Sequence, residues 1–252
     1  MLQKLIASHT LPSESLKRYI NTYWTSYNPS NEYIDVPVVP NGCIYIMWRN
    51  GNIVISGLTT SAYVINIAPQ DKFFGIEFKP YALALLVDEE VSKFNDKSID
   101  LKSVNEKLEN DIRMIIENDS EPYDDLNSLF ETYFSDTFIN KTLLKTLKLI
   151  ELSHGNMSIL DLQNSVEVHP KRLERLFVKY LGVSVKKFSK IIRFGEMHRV
   201  LSEEGMENMV QKVLNHQLNI LIYAIILHEK KRCKNTKSRS TARVEIPNNT
   251  LA

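Results

Sequence analysis

Cysteine is almost missing from this 252-residue chain: Cys43 and Cys233 are the only two. Two thiols so far apart supply neither a disulfide framework nor a set of metal ligands, and they fit a reducing compartment. Long apolar runs are missing as well. The longest, Leu218 to Leu227, falls well short of the ~20 residues that cross a bilayer as a helix. Met1-Leu2-Gln3-Lys4 leads into no apolar core, so a signal peptide is not expected. There is no Gly-rich phosphate loop, no His pair at metal spacing and no Gly-x-Ser-x-Gly elbow. The histidines are scattered: His9, His154, His169, His198, His216 and His228. These absences lead away from membrane proteins, secreted scaffolds and enzymes built on such motifs. They lead toward a cytoplasmic protein with no cofactor, no metal and no membrane partner.

What is present is an ordinary globular composition, 43% hydrophobic and 24% charged, enough for one large domain or two smaller ones. Net charge is only +1, but it is unevenly spread. Residues 1–135 carry 11 Lys and Arg against 19 Asp and Glu, and residues 136–252 carry 20 against 11. An acidic half followed by a basic half suggests that the second half meets a polyanion; a solvated charged surface is the alternative.

Ser13 to Tyr23 reads as a short helix, because Leu16, Tyr19, Ile20 and Tyr23 stand at helical spacing. Strand signals follow at Tyr33 to Val39, Cys43 to Trp48, Ile53 to Ser56, Ala62 to Ile67 and Phe73 to Lys79. Asn50-Gly51 between two of them marks a hairpin. Pro80 suits the first turn of a helix running through Val87. Beyond Val104 the period becomes helical, with stripes at Leu108, Ile112, Ile115 and Ile116, then Leu126, Leu129, Phe130 and Tyr133, then Leu143, Leu144, Leu147 and Ile150. The fold class expected is α+β: an antiparallel β-rich domain over residues 1–100, a helical linker over 101–153, and further helices beyond.

Ser158 followed by Asp161 resembles a capping box, so a helix starts there. A turn at Glu167-Val168 leads to His169-Pro170, which opens a second helix with Pro at its first position. At ~100° per residue, Leu173, Leu176, Phe177 and Tyr180 share one face. Lys171, Glu174, Arg175 and Val178 share the opposite one, flanked by Arg172 and Lys179. From His169 to Arg199 there are nine Lys and Arg and two acids. One buried face and one cationic face with directional donors is what a helix entering the major groove needs. Arg172, Lys179, Lys186 and Lys187 are the candidates to hold phosphates. A solvated amphipathic helix of any bundle presents the same pattern.

The segment "SILDLQNSVEVHPKRLERLFVKYLGVSVKKFSKIIRFGEMHRVL" resembles the first helix-turn-helix and connecting helix of AraC/XylS regulators. Leu162, Val168, Leu173, Arg175, Leu176, Phe177, Gly182-Val183-Ser184, Phe188, Arg193 and Leu201 carry the likeness. By that resemblance, residues 154–206 form the unit, and Lys171, Glu174 and Arg175 occupy the base-contacting positions. The implied partners are double-stranded DNA, a small-molecule effector and a second copy in a homodimer. Gln163, Glu167, His169 and Val185 depart from the family pattern, and Glu167 stands where glycine is usual, so it has to adopt a positive φ. "VPVVPNGCIYIMW" and "FFGIEFKPYALALL" are similar to an uncharacterised N-terminal domain often fused to such segments, one that implies effector sensing or dimerisation.

The family carries a second helix-turn-helix, which belongs in residues 207–252. Beyond about Lys212 its pattern is gone, and the basic run Lys230 to Arg243 reads as disordered. The content suggests a shifted reading frame, with a natural divergent tail as the alternative. The function expected is a bacterial-type, sequence-specific DNA-binding transcription regulator. The alternative is a decayed regulator acting only in dimerisation or interaction. Further off stands a small-molecule enzyme, for which Glu77 is the only strand carboxylate that could face a pocket. Tyr45, Trp48, Phe74 and Phe78 either line an apolar cavity or form core.

Overall fold

Strands rich in apolar residues between Ile44 and Phe78 build the centre of the N-terminal half. The computed structural model describes residues 5–214, with side chains as far as residue 201. Its strands are β1 (Ile6–Thr10), β2 (Ile20–Tyr27), β3 (Ile34–Val38), β4 (Ile44–Arg49), β5 (Asn52–Ser56), β6 (Tyr63–Ile67), β7 (Lys72–Phe78) and β8 (Ser98–Asp100). Six of them form one antiparallel sheet in the order β1-β2-β7-β4-β5-β8, and β3 pairs with β6 in a separate ribbon. Asn50 and Gly51 both take positive φ, 50° and 77°, as the expected two-residue hairpin turn between β4 and β5 requires.

The two-residue period aligns Ile44 with Phe78, Ile46 with Ile76 and Trp48 with Phe74. All of these except Trp48 are buried, and Trp48 packs against the same core. Helices cover this face: α1 (Leu83–Leu86), α2 (Glu106–Asn118) and α3 (Tyr123–Phe134). Phe130 of α3 meets Phe78 edge-on, ring centroids 5.2 Å apart, and Tyr123 lies against Tyr23 and Phe74. Arg113 of α2 ties the helix to the hairpin by donating to the Gly51 carbonyl at 2.8 Å. Its guanidinium also pairs with the buried Glu109 carboxylate.

The segment expected as a helix from Ser13 to Tyr23 is not one. Residues 14–19 form turns, and β2 begins at Ile20. Leu16, Tyr19, Ile20 and Tyr23 are nevertheless all buried. A β-bulge between Ile20 and Thr22 explains the spacing: the extra residue brings Ile20 and Tyr23, three apart, to one face of the sheet. The fold class is α+β, an antiparallel sheet region followed by helices, as the sequence indicated.

The later helices are α4 (Lys141–Leu152), α5 (Ile159–Val166), α6 (Pro170–Leu181) and α7 (Val185–Leu214). Contacts divide the chain into two compact units, Met1–Arg199 and Val200–Ala252, with the boundary inside α7. The first unit holds the sheet, α1–α6 and the start of α7. Residues 207–214 continue α7, and the remainder of the expected second helix-turn-helix, with the basic run Lys230 to Arg243, lies outside the described residues. Among the described residues no helix is long and apolar enough to cross a membrane.

Candidate nucleic-acid interface

Local hydrogen bonds set the frame of the two helices that carry the candidate residues. The Ser158 hydroxyl accepts from the Asp161 N–H at 3.1 Å and contacts the Asp161 carboxylate at 2.6 Å, the capping arrangement read in the sequence. α5 ends at Glu167, whose φ of 53° is left-handed. A glutamate thus holds the conformation that glycine adopts freely. His169 then caps α6, its Nδ1 accepting from the Lys171 N–H at 3.3 Å, with Pro170 in the first turn. Only residues 167–169 separate the two helices, a link of the length a helix-turn-helix uses.

α6 is amphipathic in the sense required. Leu173, Phe177 and Leu181 are each 0% exposed. Lys171, Arg172, Glu174, Arg175, Val178 and Lys179 are all exposed, so one side of the helix offers four cationic side chains, with the Lys179 ammonium 5.3 Å from the Tyr180 ring centroid. Phe177 meets Phe188 of α7 edge-on at 5.9 Å, which seats α6 on the long helix. Lys186 and Lys187 are exposed in the first turn of α7. Lys187 also borders a shallow crevice shared with Pro40 and Thr60, so it stands beside the N-terminal loops.

The candidate base-contacting residues are not equivalent. Lys171 and Arg175 present their charges to solvent. Glu174 has a task within the motif: its Oε2 accepts the Val185 N–H at 3.3 Å, at the start of α7. That bond satisfies one of the four N–H groups a helix leaves unpaired at its beginning. Among the described residues the other carboxylate oxygen of this exposed side chain accepts no hydrogen bond.

Three further contacts, none evident in the sequence, fix the motif on the rest of the unit. Asn95 donates from its side chain to the carbonyls of Leu181 and Gly182, at 3.3 and 3.1 Å. Gly182 closes α6 with φ 67°, and a Cβ there would come within 2.6 Å of the Ser92 backbone. Arg193 of α7, one of the residues carrying the family likeness, donates to the Gly155 carbonyl at 2.5 Å, joining α7 to the turn before α5.

On the sheet, the four aromatic candidates part company. Phe74 and Phe78 are core, and Trp48 is partly buried against them. Tyr45 lies on the other face, where its hydroxyl donates to Glu77 at 2.9 Å. Glu77 is half-buried rather than facing bulk water, and it also accepts from the Asn21 amide at 2.9 Å. Burial, and then the Glu77 charge, raise the Cys43 thiol well above its usual range, so it is held protonated. Among the described residues no group of three or more His, Cys, Asp or Glu is placed to hold a metal.

No curated protein and no solved structure matches the chain. Residues 8–100, which span the sheet from β1 to β8, match a family model described as a domain of unknown function (DUF6597), and the chain carries that N-terminal domain.

Proposed function

We propose that the chain is a sequence-specific DNA-binding transcription regulator of the AraC/XylS type, with α6 as its recognition helix. The observation that carries this reading is the division of α6 between a fully buried face, Leu173, Phe177 and Leu181, and an exposed face of Lys171, Arg172, Arg175 and Lys179. On this reading Lys171, Arg175 and the outer oxygen of Glu174 meet base edges, where a guanidinium fork matches guanine O6 and N7. Arg172, Lys179, Lys186 and Lys187 hold phosphates and fix the register. The N-terminal domain senses an effector or joins two copies, and the protein works in the cytoplasm. A single motif of this size reads few bases, so useful specificity requires two copies on two half-sites about one helical turn apart.

The test is selection of binding sites from a random duplex library, followed by affinity measurements across a range of salt. The reading expects an enriched motif and a log–log salt slope that reports several phosphate contacts. Absence of any enriched motif, with equal affinity for all duplexes, would leave only the dimerisation or interaction role.

A further inference from the structure

We propose that the crevice between the sheet and α7 binds a small molecule of the amino-acid class, a carboxylate bearing an amino group. The crevice encloses about 400 Å³, within the range of small-ligand sites. Its walls come from three places: Asn21 in β2 with Cys43 and Lys79 just outside the ends of β4 and β7, Glu151 at the end of α4, and Ile192 and Gly195 on α7. No two of these walls are close in sequence, so the site exists only in the fold.

The charges in the crevice divide into matched and unmatched. Glu196 is matched: Arg199 donates to both its oxygens, at 2.7 and 2.9 Å, and His154 approaches it at 3.5 Å. Lys79 is not. It is half-buried, and among the described residues its ammonium makes no hydrogen bond and no ion pair. Its backbone N–H is occupied by the Tyr19 carbonyl, so the strand end holds the residue in place while the side chain stays open. A partly desolvated cation without a partner favours an anion beside it. Glu151, exposed at the end of α4 on the rim of the crevice, makes no side-chain hydrogen bond or ion pair among the described residues.

Asn21 supplies the remaining selectivity. Glu77 is acceptor-only, so the Asn21 Nδ2 must point to it, and the same nitrogen reaches the Cys43 sulfur at 3.2 Å. That fixes the amide orientation and leaves Oδ1 as an open acceptor. On this proposal the ligand carboxylate sits on Lys79 and its ammonium is shared by Asn21 Oδ1 and the rim carboxylate of Glu151. Pro80 and Ile192 give the crevice an apolar lining.

The occupant would touch both the sheet and the long helix. Glu151 precedes the turn whose Gly155 carbonyl is held by Arg193, and that turn leads into α5. If α6 reads DNA, as proposed above, the ligand shifts the position of the motif and with it the DNA affinity. This coupling rests on that reading; the binding site does not.

The experiment uses the full chain without DNA. Each standard L-amino acid is tested alone by thermal shift, and hits are titrated by calorimetry. At least one should raise the melting temperature saturably. Lys79→Gln should weaken that hit about tenfold or more, the loss of a charge-assisted hydrogen bond. The matching carboxylate without the amino group should bind more weakly, and Glu151→Gln should narrow that difference. No stabilising amino acid, or unchanged affinity in a folded Lys79→Gln variant, overturns the site. Equal binding of the deaminated analogue overturns the ligand class. A ligand that binds but leaves DNA affinity unchanged overturns the coupling alone.

Discussion

The Asn95 side chain bridges two parts of the molecule that lie far apart in sequence: its amide donates to the Leu181 and Gly182 carbonyls, while its Oδ1 accepts the Leu58 N–H at 3.1 Å. The end of the proposed recognition helix is therefore tied to the N-terminal domain by hydrogen bonds through Asn95, beside the close approach of Gly182 to the Ser92 backbone. Asn95→Ala leaves up to three backbone groups without partners and should destabilise by about 1–3 kcal/mol, read as a lower urea midpoint. Gly182→Ala should do at least as much, since it adds a strained left-handed residue and a clash with the Ser92 backbone. A midpoint unchanged in both variants would show that the anchor is not formed in solution.

Glu167 offers the opposite sign of effect. Its φ of 53° costs a non-glycine residue about 1 kcal/mol. Glu167→Gly should remove that strain and stabilise the protein by several tenths of a kcal/mol after the added freedom of the unfolded chain is subtracted. The measurement is again equilibrium unfolding. A destabilised variant would mean that the exposed Glu167 side chain contributes more than its backbone conformation costs.

The reading of Glu167 came from its place in the helix-turn-helix pattern, and much of the molecule was legible in that way. Local signals gave β3 to β7, the Asn50-Gly51 hairpin, the Ser158 cap and the buried and exposed faces of α6. The sheet's outer strands were not legible. β1 is exposed along nearly its whole length and shows no alternation, and β8 has three residues. The start of β2 carries the spacing of a helix because a bulge between Ile20 and Thr22 adds a residue to the strand. Composition alone does not separate Tyr45 from Trp48, Phe74 and Phe78, yet the pleat puts it on the opposite face with Glu77. Asn95, Lys79 and the crevice depend on contacts across long stretches of chain, which no local pattern records.

Arg113 should be a sensitive position. Its partner Glu109 is 3% exposed, whereas Arg113 itself is 32% exposed. Arg113→Ala strands a buried carboxylate, a change that typically costs about 3–5 kcal/mol, discounted here because water reaches the guanidinium. A loss toward the lower end of that range is expected. Replacing both residues by leucine should cost less than Arg113→Ala alone. Equal losses would show that the pair contributes through packing rather than charge.

Asp71 gives a pH signature. Burial works to raise its carboxyl, but hydrogen bonds from Arg49 and Asn50, with the Arg49 charge, outweigh burial and hold it below the usual carboxylate range. A depressed folded-state value stabilises the protein fully above the unfolded value of about 3.9, and that contribution is lost as pH falls through the folded value. The stability gap between the wild type and Asp71→Asn should therefore be constant near neutrality and shrink on acidification below about pH 4. A gap that does not change with pH would show that the carboxylate gains nothing from Arg49 and Asn50.

The central claim, that the exposed face of α6 reads DNA, is tested most directly by comparing Arg175→Ala with Lys179→Ala on a selected duplex and on single-base variants of it. Both side chains are exposed on the same helix, so neither substitution should disturb the fold. Arg175→Ala is expected to lose about 1–3 kcal/mol of discrimination at one base pair. Lys179→Ala is expected to weaken binding to every duplex alike and to reduce the salt slope by about one contact. Equal, sequence-independent losses from the two variants, or no loss from either, would contradict the assignment of α6 as a recognition helix.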